Sequence, residues 1–141
     1  MFFRISTLLC CMAISSACSS DDKSEGPQSY SGSCLYKYEI PGIKHPACLQ
    51  YVNVAISSEI LQEECENGNP NANISSGSWV AEGCNEASRT AICADAPFAG
   101  GTLSLTLYSV GFNHIIKNSC EGGTGLFVNG PGTYTEFVTL E

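Results

Sequence analysis

Residues 60–68 read ILQEECENG, and residues 115–123 read IIKNSCEGG. In each stretch, apolar residues and one cysteine recur at helical spacing, and a glycine follows the cysteine. Each stretch therefore predicts a short amphipathic helix that ends at a glycine, and Ser57 or Ser58 can cap the first one. Helices this short are marginal in isolation, so we expect packing and the cysteine to hold them in place.

The similarity between the two stretches extends to their surroundings. Residues 77–80 (GSWV) match residues 125–128 (GLFV), Tyr51 matches Tyr108, and Cys48 and Cys93 open the two halves. The same order of features twice along one chain predicts an internal duplication of a strand–helix–strand unit.

Two segments near the C-terminus have the pattern of strands. Residues 103–107 (LSLTL) alternate apolar and polar residues, which is typical of a strand with one buried face. Residues 133–140 are rich in β-formers and follow the turn sequence NGPG, so they predict a hairpin with residues 125–128. The predicted fold class is α+β: a small disulfide-rich domain with a mainly antiparallel sheet and two short helices.

One long polar loop interrupts the first half. Residues Glu66–Ser78 contain Asn, Gly, Pro and Ser, and the second half has only a few residues at the matching place. Trp79 follows the loop, and we expect it to anchor the core.

The cysteine count indicates three disulfides. Of nine cysteines, Cys10 and Cys11 lie in an N-terminal apolar leader and Cys18 follows it. An even set then remains for disulfides: Cys34, Cys48, Cys65, Cys84, Cys93 and Cys120. Sequence alone does not fix the pairing. The favoured scheme joins Cys84 to Cys93 across a hairpin near Ser88, Cys34 to Cys48 by symmetry, and Cys65 to Cys120 between the helix ends.

The leader has the features of a secretory signal peptide. Arg4 precedes an apolar run, Ile5–Ile14, that is shorter than the ~20 residues a membrane-spanning helix needs. The following Ser16-Ala17-Cys18 resembles the bacterial lipobox, although Ser15 stands where leucine is usual. The resemblance implies lipidation of Cys18. The alternative is ordinary cleavage after Ala17, which would leave a soluble secreted or periplasmic protein with a spare thiol.

These features divide the chain into three parts: a lipoprotein signal peptide (residues 1–17), a flexible polar tether (18–33) and a cysteine-rich α+β domain (34–141). Lipid on Cys18 would hold the domain at a membrane, because two or more acyl chains anchor stably. By resemblance to lipoproteins, Ser19 after the lipidated cysteine implies sorting to the outer membrane.

Charge excludes one class of partner. The formal net charge is −8, and the six basic residues are scattered along the chain. Nucleic-acid binding depends on clustered basic residues that neutralise phosphates, so it is not expected.

No pattern of catalytic or metal-binding residues stands out. His45 and His114 each lack a second ligand nearby, and the cluster Glu63, Glu64 and Glu66 is typical of a solvated helix face. The run Gly122–Gly125 lacks the lysine of a phosphate-binding loop. We therefore expect no enzyme, no metal site and no cofactor.

The domain resembles a group of uncharacterised cysteine-rich lipoproteins from bacteria with outer membranes. The similar elements are ACLQY (residues 47–51), GSW through CNEASRTAIC (residues 77–93), Leu107-Tyr108 and CEGG (residues 120–123). The chain departs from them in its enlarged Glu66–Ser78 loop and in Asn85, where proline is common. The resemblance implies an architecture and a location, without an activity.

The function predicted is that of a non-enzymatic binding module in the cell envelope. Its ligand would be an unknown protein or glycan, and the Glu66–Ser78 loop would be the contact surface, since loops on rigid scaffolds often carry function. The alternatives are a structural envelope protein, a protease inhibitor, or a hydrolase that uses paired carboxylates.

Overall fold

The structure, a computed structural model, describes residues 28–40, 42–68, 75–110 and 113–137. Within these ranges it contains six strands, two α-helices and one 3₁₀ turn. In chain order they are β1 (Tyr30–Ile40), β2 (Ile43–Val54), α1 (Ser58–Asn67), β3 (Ser78–Val80), β4 (Ala91–Phe98), β5 (Gly101–Leu107), α2 (Asn113–Gly122), the 3₁₀ turn Gly125–Phe127 and β6 (Thr133–Glu136). The predicted α+β class, with an antiparallel sheet and two short helices, is confirmed.

The strands form one antiparallel sheet in the order β3-β1-β2-β5-β4-β6. In the first half, β1 and β2 form a hairpin, and β3 returns after α1 to pair with β1. In the second half, β4 and β5 form a hairpin, and β6 returns after α2 to pair with β4. The halves meet where β2 pairs with β5, with Leu49 opposite Leu105. Each half thus reads strand, strand, helix, strand, so the predicted strand–helix–strand unit missed one strand.

The two helices lie over opposite ends of one face of the sheet. Helix α1 contacts β1 and β3, whereas α2 contacts β4 and β6. Side chains alternate between the faces of a strand, so Cys34 and Leu49, which are cross-strand partners, both point to this helix face. The main core lies between the helices and the sheet, and it includes the buried Leu49, Leu105, Ile116 and Phe127.

The six predicted cysteines form three disulfides, but the favoured pairing is wrong at each bond. The observed bonds are Cys34–Cys65, Cys48–Cys84 and Cys93–Cys120. The first and third bonds are equivalent, because each joins a helix to the first strand of its own half.

Strand register explains why the favoured pairs do not form. Cys48 lies opposite Leu35 and Cys34 opposite Leu49, so the two cysteines point to opposite faces of the sheet. Cys65 and Cys120 lie on helices at opposite ends of the sheet. Cys84 lies in a non-strand segment against the other face, where its N–H donates to Gln50 Oε1 at 3.4 Å.

Segment 81–90 lies along that opposite face. It is held there by the Cys48–Cys84 disulfide and by Tyr108, whose hydroxyl donates to the carbonyl oxygen of Asn85 at 2.7 Å. This face carries the buried polar side chains of Ser33, Ser104 and Thr106. The segment therefore replaces the predicted Cys84–Cys93 hairpin.

A glycine connects each helix to the strand that follows. Gly77 donates its N–H to the carbonyl oxygen of Cys65 at 2.7 Å, and Gly132 donates to that of Cys120 at 3.0 Å. A Cβ atom at Gly77 would lie 2.6 Å from Leu35 O and 2.9 Å from Cys34 Sγ. One at Gly132 would lie 2.6 Å from Cys93 Sγ. Only glycine allows the chain to pass this close to the disulfide.

Several sequence-based boundaries need correction. Residues 125–127 form a 3₁₀ turn that buries Phe127, so the predicted hairpin with residues 133–140 is absent from residues 125–137, and β6 pairs with β4. Tyr134 lies opposite Cys93 as Trp79 lies opposite Cys34, which makes Tyr134, and not Phe127, the counterpart of Trp79.

The predicted tether also extends too far. Strand β1 begins at Tyr30, and Ser33 has an exposed fraction of 0%. The domain therefore starts before residue 34. The predicted signal peptide, Cys18 and residues 18–27 of the tether lie outside the described residues. Within the described part of the chain, Ser57 caps α1 as predicted, because its Oγ accepts from Ile60 N at 3.4 Å.

Candidate functional site

The two histidines lie on different elements, His45 on β2 and His114 on α2. His45 Nδ1 and Ser109 Oγ are hydrogen-bonded at 2.8 Å, while His114 is exposed on α2. A His–Ser pair can activate a hydroxyl, but neither His45 nor Ser109 lines a described cavity. Their contact links the start of β2 to the residues after β5. Among the described residues, no group of three or more His, Cys, Asp or Glu side chains could hold a metal ion.

The three carboxylates of the predicted acidic cluster are all exposed on α1 but have different neighbours. Glu66 is engaged on the helix surface, where Gln62 Nε2 donates to its Oε1 at 2.8 Å. Glu63 is exposed. Glu64 instead lines a cavity in the helix face, described below. All three carboxylates are exposed, as a solvated helix face requires, and Glu64 in addition lines the cavity.

Both ends of the Glu66–Ser78 loop are fixed to the domain; residues 69–74 lie outside the described part. At the first end α1 runs to Asn67. At the second end, Ser75 Oγ donates to the carbonyl oxygen of Lys37 at 2.9 Å. The N–H of Gly77 donates to the carbonyl oxygen of Cys65 in α1. The end of the loop therefore lies beside β1.

An open groove of about 700 Å³ lies where the end of this loop meets β1 and β2. We call it the lysine groove. It is lined by Leu35, Tyr36, Lys37, Lys44, Pro46, Ala47, Ser75, Ser76, Gly77, Ser78 and Tyr108. Its volume is in the range of ligand-binding clefts.

Two of the basic side chains of this acidic protein share the groove. Lys37 and Lys44 are both exposed, and neither forms an ion pair with the described residues. Glu39 lies opposite Lys44 in the strand register and reduces the local positive charge. The sequence pattern does not reveal this pair, because the lysines are separated along the chain and only the β1–β2 hairpin places them on neighbouring strands. The turn dipeptide Pro41-Gly42 was the available signal.

A second, smaller cavity lies in the helix face between the two halves. It has a volume of about 90 Å³, and we call it the central cleft. Its lining is Cys34, Leu49, Tyr51, Glu64, Cys65, Phe98, Leu103 and Leu126. Leu49 and Leu103 come from the two central strands, whereas the helices contact mainly the outer strands.

Aromatic side chains pack beside the central cleft. The ring of Tyr51 lies 5.6 Å from that of Phe98 and 6.1 Å from that of Trp79, between centroids. Trp79 is half-buried and packs against the core, with its ring over Gly32. The prediction that Trp79 anchors the core is therefore confirmed, although the side chain is not fully buried.

Burial raises the pKa of the Tyr51 hydroxyl to about 12, and the nearby negative charge of Glu64 adds to the shift. Burial also raises the pKa of Tyr36 well above its ordinary value, with smaller contributions from Tyr38 and Tyr51. In both residues the protein stabilises the neutral phenol.

We expect the protein to lose stability at alkaline pH because of these tyrosines. The unfolded chain releases the Tyr51 proton near pH 10, whereas the folded chain keeps it until about pH 12. The unfolded state then binds fewer protons, so the free energy of unfolding falls as pH rises through this window and is unaffected by Tyr51 below it. Melting temperatures measured across the window should show this fall, with a smaller slope in Tyr51→Phe. Equal slopes in the two proteins would contradict the assignment.

Comparison with protein-family models, with curated protein sequences and with solved structures finds no match. The class of protein is thus defined by the fold itself, a disulfide-rich α+β domain with an antiparallel sheet. Three disulfides are typical of proteins that fold in an oxidising compartment outside the cytoplasm. No helix in the described part of the chain has the length and apolar character needed to cross a membrane.

Proposed function

We propose that the protein is a lipoprotein of the cell envelope, anchored to the outer membrane through lipid on Cys18, and that it acts as a non-enzymatic binding module. Its ligand is an acidic protein or glycan, and its contact surface is the lysine groove. The observation that carries the proposal is the meeting of the long loop with Lys37 and Lys44 at one open groove on a cross-linked scaffold.

The scaffold supports this role because it presents the groove rigidly. β1 carries Lys37 and is fixed to α1 by Cys34–Cys65, while β2 carries Lys44 and is fixed by Cys48–Cys84. A preorganised surface has less conformational entropy to lose when a ligand binds. Exposed lysines supply charge complementarity to an acidic ligand.

The anchor is tested on the mature protein. Mass spectrometry of its N-terminal peptide should find Cys18 as the first residue, with a mass increase equal to a diacylglyceryl group, with or without a further acyl chain. Cys18→Ser should release the protein from membranes. An unmodified Cys18 thiol would overturn the anchor and leave the secreted or periplasmic alternative.

The groove is tested by removing its charge. We expect the double variant Lys37→Ser/Lys44→Ser, made in the unlipidated Cys18→Ser chain, to bind an envelope ligand roughly two- to thirtyfold more weakly, since each exposed ion pair contributes about 0.2–1 kcal/mol. Affinity is measured by calorimetry on ligands recovered from envelope extracts. Lys117→Ser is the matched control, because Lys117 is exposed on α2, away from the groove. If every recovered ligand binds the double variant and the control equally well, the groove is not the contact surface.

We also propose that the two halves arose by duplication of one unit. The shared element order, the equivalent disulfides Cys34–Cys65 and Cys93–Cys120, and the equivalent bonds made by Gly77 and Gly132 support it. Related sequences should keep the helix cysteine and the glycine in both halves. Relatives in which one half lacks its helix cysteine and its glycine, while the other keeps them, would count against it.

A further inference from the structure

The central cleft lies in the helix face, where side chains from both halves meet. The central strands contribute Leu49 and Leu103, and Leu126 comes from the 3₁₀ turn of the second half. Helix α1 contributes Glu64 and the Cys65 end of its disulfide. With a volume of about 90 Å³, the cleft has room for one small group and not for an extended chain.

Glu64, an exposed residue of α1 that also lines the cleft, gives this apolar site a negative charge. It is the one ionisable acid or base in the lining apart from the Tyr51 phenol. Glu64 forms no ion pair with the described residues, among which the recorded ion pair is Arg89–Glu86 at 3.6 Å. The charge acts on the cleft, since it contributes to the raised pKa of Tyr51.

The lining restricts what can bind. An anion would be repelled by Glu64. A neutral apolar group could bury surface against the leucines but would gain nothing from the charge of Glu64, which is exposed to solvent. A metal ion is not suited either, because a single carboxylate lines the cleft and hard cations require several oxygen ligands.

A cation with a short aliphatic stem satisfies every part of the lining. Its ammonium can pair with Glu64, and its stem can bury apolar surface against Leu49, Leu103 and Leu126. The aromatic rings of Tyr51 and Phe98, which also line the cleft, are the kind of side chain that attracts a cation.

We propose that the central cleft binds a small alkylammonium group, with its ammonium paired to Glu64 and its stem against the three leucines. This site lies on the helix face and shares no lining residue with the lysine groove. A test of one site is therefore not a test of the other. The ammonium group belongs either to a free amine or to a lysine side chain of a polypeptide.

The chain carries its own reporter for this site. Trp79 is the only tryptophan, and its ring packs 6.1 Å from that of Tyr51 in the cleft lining. Titration of the Cys18→Ser chain with n-butylammonium chloride at constant ionic strength should give a saturable change in tryptophan fluorescence. The same titration followed by saturation-transfer NMR detects binding whether or not Trp79 responds. We expect a dissociation constant in the millimolar range, as suits so small a ligand.

Charge and shape are tested with matched controls. The Glu64→Gln variant should bind n-butylammonium about tenfold more weakly, because it keeps the side-chain shape and loses the charge. The Glu63→Gln variant changes an exposed residue of the same helix that does not line the cleft. It should bind n-butylammonium as tightly as the protein with Glu63 unchanged. n-Butanol, which has the stem without the charge, should bind much more weakly than n-butylammonium.

A second probe distinguishes the two sources. Nα-acetyl-lysine N-methylamide carries the ammonium stem on a peptide backbone. If it binds as tightly as n-butylammonium, the proposal holds and the source is a polypeptide lysine; if only n-butylammonium binds, the proposal holds for a free amine. The proposal is overturned if neither ammonium probe binds by either method, if n-butanol binds equally well, or if Glu64→Gln binds like Glu63→Gln.

Discussion

The double variant Cys93→Ala/Cys120→Ala is expected to lose about 5 kcal/mol of its free energy of unfolding. Closing a loop of this length restricts the unfolded chain by about 3.6 kcal/mol, given the 27-residue separation of the two cysteines. Both cysteines have an exposed fraction of 0%, so their removal also leaves a gap between α2 and β4 that costs roughly 1–2 kcal/mol. Urea unfolding under non-reducing conditions, followed by Trp79 fluorescence and circular dichroism, measures the loss.

The Cys48→Ala/Cys84→Ala variant is the matched comparison. Its cysteines are 36 residues apart, so the entropic contribution is about the same. Cys48 is fully buried, but Cys84 is only half-buried in a surface segment, so less packing is lost than in the Cys93→Ala/Cys120→Ala variant. We therefore expect a loss of about 3.5–4 kcal/mol. A Cys93→Ala/Cys120→Ala variant that lost less than about 1 kcal/mol would contradict the central role given to this bond.

Gly132→Ala is expected to lower the free energy of unfolding by about 2–4 kcal/mol, and Gly77→Ala by a similar amount. The new Cβ at Gly132 would lie 2.6 Å from Cys93 Sγ and 2.8 Å from Ala94 O. Neither neighbour can move freely, because one belongs to a buried disulfide and the other to a central part of β4. The glycine N–H would also be displaced from the carbonyl oxygen of its helix cysteine, to which it donates in the native chain.

Gly122→Ala serves as the control for both variants. A Cβ atom at Gly122 meets nothing within 4 Å, and the residue is the last one of α2. Alanine is the better helix former, so this change should leave stability within about 0.5 kcal/mol or raise it. Thermal unfolding of the three proteins side by side makes the comparison. If Gly77→Ala and Gly132→Ala unfold at the same melting temperature as Gly122→Ala, the close approach to the disulfides is not a constraint on the fold.

Part of the candidate site could be predicted from the sequence. The Glu66–Ser78 loop stood out by composition, and its end does line the lysine groove. Lys37 and Lys44 did not stand out, since their proximity depends on the β1–β2 hairpin. Glu64 could not be told from Glu63 and Glu66 by pattern, because all three are carboxylates on one short helix. Only the position of α1 over the sheet turns Glu64 towards the central cleft.

The sequence by itself determined the local and compositional features of this protein. Helical spacing and terminal glycines located α1 and α2, alternation located β5, and the even cysteine count predicted three disulfides, because each depends on neighbouring residues or on composition. The tertiary structure alone decided the pairing of those cysteines, the equivalence of Trp79 with Tyr134, and the two cavities. These depend on register and on which face of the sheet a side chain occupies. A shift of one residue in register reverses that face, so no pattern of neighbouring residues along the chain can settle which distant residues become partners.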